Sequence, residues 1–246
     1  MPAVRLRRRA FAQSSGIPTV PWADFLARFR WAQGEHVTFV GPTGSGKTNL
    51  ARQLLPLRDY VCAIGTKPKD KTLQGLISRE GYRRIQAWPP PPLVGASQRI
   101  ALWPTFRRPE DIVNQQAAID RALREMFTAG GWCVFADELY YLCHTLRLTK
   151  LLEVYWTQGR SVHLSLVGGT QRPAHVPLFA YDQATHLFFY RDNDEANLRR
   201  VGGLGGISAQ EVRDAVMQLP KYHALYVNTR DGELMITQAP DASKGG

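Results

Sequence analysis

No hydrophobic run in the 246 residues approaches the roughly 20 apolar residues that cross a bilayer, so no integral membrane segment is expected. The first residues lack the apolar core of a secretory signal. Cysteine is scarce and odd in number, as Cys62, Cys133 and Cys143, with no CxxC pair and no paired histidines at metal spacing. That argues against a disulfide framework or a zinc site and for reduced, mostly buried thiols of a soluble cytoplasmic protein. Acidic residues are in the minority, 21 Asp and Glu against 31 Lys and Arg, a net charge of +10. Such a surplus favours a polyanionic partner, nucleic acid first, with a merely soluble basic protein as the plain alternative. Charge alone does not separate DNA from RNA. The 44% hydrophobic content is enough for a full core.

The strongest pattern lies at residues 35–55, EHVTFVGPTGSGKTNLARQLL. An apolar run through Val37, Phe39 and Val40 ends at Gly41. Pro42, Thr43, Gly44, Ser45, Gly46, Lys47 and Thr48 follow, then a helical stretch beginning near Lys47 and Asn49 and closed by Pro56. This is G-x-x-x-x-G-K-[ST] with a strand before it and a helix after it, the context a phosphate loop requires. Glycines let backbone N–H groups turn inward onto phosphate oxygens, and the helix start adds its positive dipole end. Lys47 is placed to reach β- and γ-phosphates, and the Thr48 hydroxyl to ligate Mg²⁺. The expected ligand at this point is a triphosphate with Mg²⁺.

A second anchor is Trp132-Cys-Val-Phe-Ala-Asp137-Glu138, an apolar strand delivering two adjacent carboxylates. Behind a phosphate loop they divide the work: Asp137 holds the metal shell, and Glu138 activates the attacking water. Further on, a helix ending Tyr155-Trp156-Thr157-Gln158 stops at Gly159, expected as a C-terminal cap, and Arg160 follows. A buried strand over 162–167 then runs into Gly168-Gly169-Thr170-Gln171-Arg172-Pro173. The Gln171 amide, donor and acceptor at once, suits a bridge between water and γ-phosphate.

The remaining segments frame these anchors. Residues 1–15, with Arg5, Arg7, Arg8 and Arg9, are expected to form a disordered basic arm. Pro21 opens a short helix with Trp22, Phe25, Leu26 and Phe29 on one side, expected as core packing. A strand at 59–65 leads to a basic loop with Lys67 and Lys69. A helix is expected near 71–79, and short similar strands at 84–88 and 99–103 flank the proline run 89–92. A longer helix starts at Pro109 and turns Ile119, Leu123, Met126 and Phe127 inward. Residues 185–191 form a strand. Ser208 with Glu211 is a capping box, and strands at 222–228 and 233–237 form a hairpin. A single domain over 16–238 is expected, with a disordered tail over 239–246.

Phosphate loop, Asp137-Glu138, Gly159-Arg160 and the strand ending Thr170-Gln171-Arg172-Pro173 recur in this order in one group. Over about residues 33–235 the chain resembles the FtsK–HerA superfamily of ring-forming DNA-pumping ATPases. The resemblance implies an α/β P-loop fold of the RecA-like (ASCE) type: a mostly parallel sheet, helices on both faces and a small antiparallel extension. It also implies that the Gln171 strand lies between the phosphate-loop strand and the Asp137 strand. Gln171 matches the sensor glutamine, and Arg160 matches an arginine finger acting on a neighbouring subunit, with Arg172 and Arg191 as rivals. The implied activity is ATP hydrolysis driving double-stranded DNA through a homo-oligomeric ring, a hexamer or pentamer, with a viral portal, capsid or transfer-complex protein as a further partner. The membrane, pore and winged-helix domains of chromosome translocases have no counterpart, so a minimal motor like compact viral or plasmid members is expected. A nucleotide-switched assembly or secretion ATPase acting on a protein partner is the alternative.

Overall fold

Strands that read as continuous apolar runs need cover on both faces. In the structure, a computed structural model describing residues 16–91, 97–201 and 208–241, they have it. In chain order the elements are α1 (Trp22–Arg28), β1 (Val37–Val40), α2 (Lys47–Leu54), β2 (Tyr60–Ile64), α3 (Lys71–Arg79), β3 (Arg83–Ile85), β4 (Gln98–Leu102), α4 (Ile112–Ala129), β5 (Cys133–Ala136), α5 (Thr149–Gln158), β6 (Ser165–Thr170), α6 (Phe179–Asp182), β7 (His186–Tyr190), α7 (Glu195–Val201), α8 (Ala209–Gln218), β8 (Ala224–Asn228) and β9 (Leu234–Thr237). They build one sheet of order β3-β4-β2-β5-β6-β1-β7-β8-β9. Pairing is parallel from β3 to β7 and antiparallel through β8 and β9. The mostly parallel sheet with its small antiparallel extension is thus present, and β6 lies between β1 and β5.

Alternate strand residues feed two separate cores. Val40, Ile64, Val134 and Leu166 join α4, α5 and α8 on one face. Val37, Phe39, Phe135 and Val167 join α1, α2 and α3 on the other. In α4, Ile119, Leu123 and Met126 are buried as their spacing predicts, and Phe127 packs partly buried beside them. On α1, Phe25 stacks on Trp22 and Phe29, so these aromatics are core residues. All three cysteines are free and buried, and burial pushes the Cys62 thiol up to about 12.

Several boundaries differ from expectation. The 84–88 strand is only Arg83–Ile85, because Trp88 leaves the ladder to pack edge-on against Trp132. Gly159 caps α5 as expected, with a right-handed φ of −56°, and the left-handed residue is His163. A Cβ at Gly159 would stand 3.1 Å from the Leu164 carbonyl oxygen and 3.2 Å from His36, so close packing is what demands glycine there. The packed body extends two residues beyond 238: Ala239 is buried, and the Pro240 carbonyl accepts a bond from Asn49. The arm expected at 1–15 and the rest of the tail, 242–246, lie outside the described residues.

The outer edge of β9 is covered. Val20 N–H donates to the Ile236 carbonyl at 2.9 Å, and Ile236 N–H donates to Pro18 at 2.8 Å. The opposite edge strand, β3, is three residues long and carries Arg83 and Arg84, the short charged edge that soluble sheets favour.

Candidate active site

Parallel strands deliver their following loops to one edge, and here that edge collects the chemistry. β1 ends in the phosphate loop. Gly46 immediately precedes α2 with a φ of +113°, a conformation that side chains rarely adopt. A Cβ there would also press to 3.3 Å from the Tyr190 ring. Tyr190, at the end of β7, donates its hydroxyl to the Gly46 carbonyl at 3.1 Å and clamps the loop from beneath. Sequence reasoning took Tyr190 only as part of a strand. Its one local signal is an aromatic residue ending the strand that pairs with the phosphate-loop strand.

Lys47 is nearly buried. Its Nζ donates to the loop's own carbonyls, Gly41 at 2.6 Å and Pro42 at 2.9 Å. Burial lowers its pKa, while the nearby Asp137 and Glu138 charges pull the other way. The ammonium is therefore desolvated and held inside the loop. Ser45 Oγ is buried with no hydrogen-bond partner among the described residues, a hydroxyl suited to an arriving oxyanion. Pro42, Thr43 and Gly44 are exposed.

Thr48 Oγ1 donates to Asp137 Oδ2 at 2.9 Å, joining the loop helix to the end of β5. Burial raises the Asp137 pKa, opposed by the Thr48 bond and the charges of Lys47 and Lys67. β6 runs close beside it: a Cβ on Gly169 would come within 2.8 Å of the Asp137 backbone oxygen and 3.0 Å of its Oδ1. A hydroxyl and a carboxylate are hard oxygen donors. Together with phosphate oxygens and water they fit Mg²⁺, which rarely uses an all-protein cage. No group of three or more His, Cys, Asp or Glu that could enclose a metal occurs among the described residues.

Glu138 pairs with Lys67, Nζ to Oε2 at 3.1 Å. Burial works against the Lys67 charge, but the bond and charge of Glu138 prevail and raise its pKa. The sequence offered Lys67 as a basic loop residue at the ligand-bearing strand edge, able to touch nucleotide or DNA, and not as a partner of Glu138. Its backbone is fixed by Trp103 Nε1, which donates to the Lys67 carbonyl at 2.8 Å, and by Gln115 Nε2, which donates to the Thr66 carbonyl at 3.1 Å. The Tyr141 hydroxyl donates to Gln115 Oε1 at 2.8 Å, from a π-helical turn over Tyr141–Thr145. Gln171, one residue past β6, accepts from Thr43 Oγ1 at 2.6 Å, so it touches the tip of the phosphate loop.

Arg160 does not join this group. It lies in a 3-10 turn before β6 and packs on Gly34, which precedes β1, so it is exposed at the opposite edge of the sheet. The six residues of β6 put about 20 Å between the two edges. Arg172 and Arg191 are exposed on the loop edge itself. Asn49, one turn into α2, donates to the Pro240 carbonyl at 2.7 Å.

No protein-family model matches the sequence, and no curated protein is recognisably similar to it. Solved structures do match its fold. B204, the DNA-packaging ATPase of Sulfolobus turreted icosahedral virus, aligns with a TM-score of 0.61 at 15% identity, covering 85% of this chain and 100% of that one. The genome-packaging NTPase B204 of Sulfolobus turreted icosahedral virus 2, in complex with ATP-gammaS, aligns with a TM-score of 0.56 at 17% identity, covering 84% and 97%. The cytoplasmic domain of the Thermomonospora curvata type VII secretion ATPase EccC aligns with a TM-score of 0.55 at 16% identity, covering 87% of this chain and 26% of that one. The chain shares the fold of these packaging and secretion ATPases. No helix among the described residues is long and apolar enough to cross a membrane.

Proposed function

We propose that the chain is the ATPase subunit of a double-stranded DNA translocase, a genome-packaging or DNA-transfer motor that hydrolyses ATP at the contacts of a ring. One observation carries this: Lys47, the Thr48–Asp137 pair, Glu138 and Gln171 converge on a single sheet edge, with the Gln171 strand between the other two. Loop amides and Lys47 bind and orient the triphosphate. Thr48 and Asp137 are the residues that would hold Mg²⁺, which when bound neutralises charge on the β- and γ-oxygens. Glu138 accepts the proton of the attacking water as the bond to the γ-phosphorus forms and the bond to the β-bridging oxygen breaks. Gln171, hydrogen-bonded to the loop tip, relays the state of the γ-phosphate to β6. Arg160, at the far edge, is suited to a neighbour's site rather than its own, in a head-to-tail ring. The net charge of +10 supports a sequence-independent grip on DNA phosphates.

The test is the ATPase rate against protein concentration, with and without long double-stranded DNA. A rate that rises steeply with concentration and is stimulated by DNA is expected. The fold likeness to a secretion ATPase favours a second reading, a nucleotide-switched factor acting on a protein. A rate indifferent to DNA at every protein concentration would favour that factor and sink the motor.

A further inference from the structure

The face that α4 buries is apolar along Ile119, Ala122, Leu123 and Met126, and one amide shares it. Gln115 is fully buried. An amide taken out of water costs stability unless both of its groups find partners. Here both do. Gln115 Nε2 donates to the Thr66 carbonyl at 3.1 Å, and Oε1 accepts from the Tyr141 hydroxyl at 2.8 Å. The Thr66 carbonyl only accepts, so the amide nitrogen must face it and the side chain has one orientation.

The two partners lead to the two sides of one ion pair. Thr66 immediately precedes Lys67, Tyr141 lies shortly after Glu138, and Lys67 Nζ stands 3.1 Å from Glu138 Oε2. The Lys67 arm has little slack. Trp103 Nε1 donates to the Lys67 carbonyl at 2.8 Å, and Asp70 accepts the Thr72 and Leu73 amides where α3 begins. A Cβ on Gly65 would come within 2.7 Å of both Leu73 and Trp103. The Glu138 arm is the π turn, closed by the Leu146 N–H on the Tyr141 carbonyl at 3.0 Å. Single π turns recur at functional sites. The outer side of this one is exposed, where His144 Nε2 donates to the His175 carbonyl at 2.6 Å.

We propose that Gln115 is a positioning residue for Glu138. By fixing the separation of the Lys67 loop and the π turn, it keeps the Lys67 ammonium on one oxygen of the carboxylate until an outside contact moves either arm. The inference rests on the proposed reading of Glu138 as the general base. Gln115 bonds to the side chain of neither Lys67 nor Glu138, so it acts through the two segments that carry them. With the amide gone, each arm moves without the other, and the ion pair opens more often.

The experiment measures kcat and KM for ATP without DNA in wild type, Gln115→Leu and Tyr141→Phe, each with and without Lys67→Ala. Gln115→Leu should raise kcat by about fivefold, as loss of the Lys67 contact itself would, and leave KM within about twofold. Tyr141→Phe, which removes one of the two bonds, should give a smaller rise. In the Lys67→Ala background neither change should add anything, because the contact through which Gln115 acts is already gone. A merely structural role would move kcat by the same factor in both backgrounds, and that additivity overturns the proposal. So does a Gln115→Leu protein whose kcat is unchanged or lowered. Should Gln115→Leu fail to fold, Tyr141→Phe carries the same comparison. Failure of the underlying reading shows separately in Glu138→Gln. If that variant turns over as wild type does, the base lies elsewhere; if it is inactive while the Gln115 and Lys67 effects add, only the positioning role falls.

Discussion

The ammonium of Lys67 stands 3.1 Å from Oε2 of Glu138, the carboxylate assigned to activate water. The ion pair occupies one oxygen of that carboxylate, and the cation sits on a loop whose backbone is pinned by Trp103 and Gln115. Lys67 is also half-exposed, within reach of a phosphate arriving from outside. On the proposed function, DNA that draws Lys67 away would free Glu138.

We predict that Lys67→Ala raises the DNA-free ATPase rate by about fivefold, the equivalent of ~1 kcal/mol for a half-exposed ion pair. The ratio of DNA-stimulated to basal rate should shrink. A steady-state assay reads both, and a fall in the basal rate would mean that Lys67 positions Glu138 instead of restraining it.

Glu138→Gln should bind ATP as wild type does and lose turnover by at least ~100-fold, as expected when a general base is removed. Lys47→Ala should lose nucleotide binding outright. Equilibrium binding of a fluorescent ATP analogue beside a phosphate-release assay separates the two outcomes. Tight binding by the Lys47 variant contradicts the site.

Arg160 lies at the edge of the sheet away from Lys47, so the role proposed for it is at a neighbouring subunit's site. Arg160→Ala and Glu138→Gln proteins, each inactive alone, should regain partial ATPase activity when mixed. Absence of rescue at every mixing ratio would turn attention to Arg172 and Arg191, which lie beside the loop.

His36 supplies a pH signature. It is 2% exposed, and its Nδ1 accepts the Leu166 N–H at 3.0 Å, so the folded ring is neutral. Burial is the main cause of a pKa lowered from 6.5 to about 4. The unfolded chain therefore takes up a proton that the folded chain refuses. The stabilisation is complete above pH 6.5 and is lost as pH falls towards 4, amounting to ~3 kcal/mol over the window. Thermal melts at pH 7.5 and pH 5 should show the loss, and His36→Gln should make it smaller. Equal slopes for both proteins would refute the assignment.

Gly169→Ala should destabilise the fold by ~1–3 kcal/mol and depress activity, because the added methyl meets the Asp137 backbone rather than a yielding side chain. Differential scanning calorimetry with an ATPase assay checks it. An unchanged melting temperature would show that β5 and β6 can part without loss.

What the sequence made legible was local. The phosphate loop, the carboxylates ending β5 and the helix faces of α1 and α4 each sit within one continuous stretch whose periodicity or spacing carries the signal. Strand order was not local: only the family resemblance put β6 between β1 and β5, as the structure has it. Pairings between distant positions left no trace in the chain. Lys67 meets Glu138, Tyr190 meets Gly46, and Asn49 meets Pro240 across 191 positions. Gly159 was legible as the cap of α5, but the neighbours across the turn that demand glycine there were not.

The seam between residues 18–20 and β9 guards against a particular kind of misassembly. Without it, the last strand would offer a bare row of amides and carbonyls, and two molecules could zip together rim to rim. Such contacts propagate into filaments and compete with closed assemblies for the same subunits. By occupying that rim with its own leading residues, the polypeptide reserves association for its other surfaces.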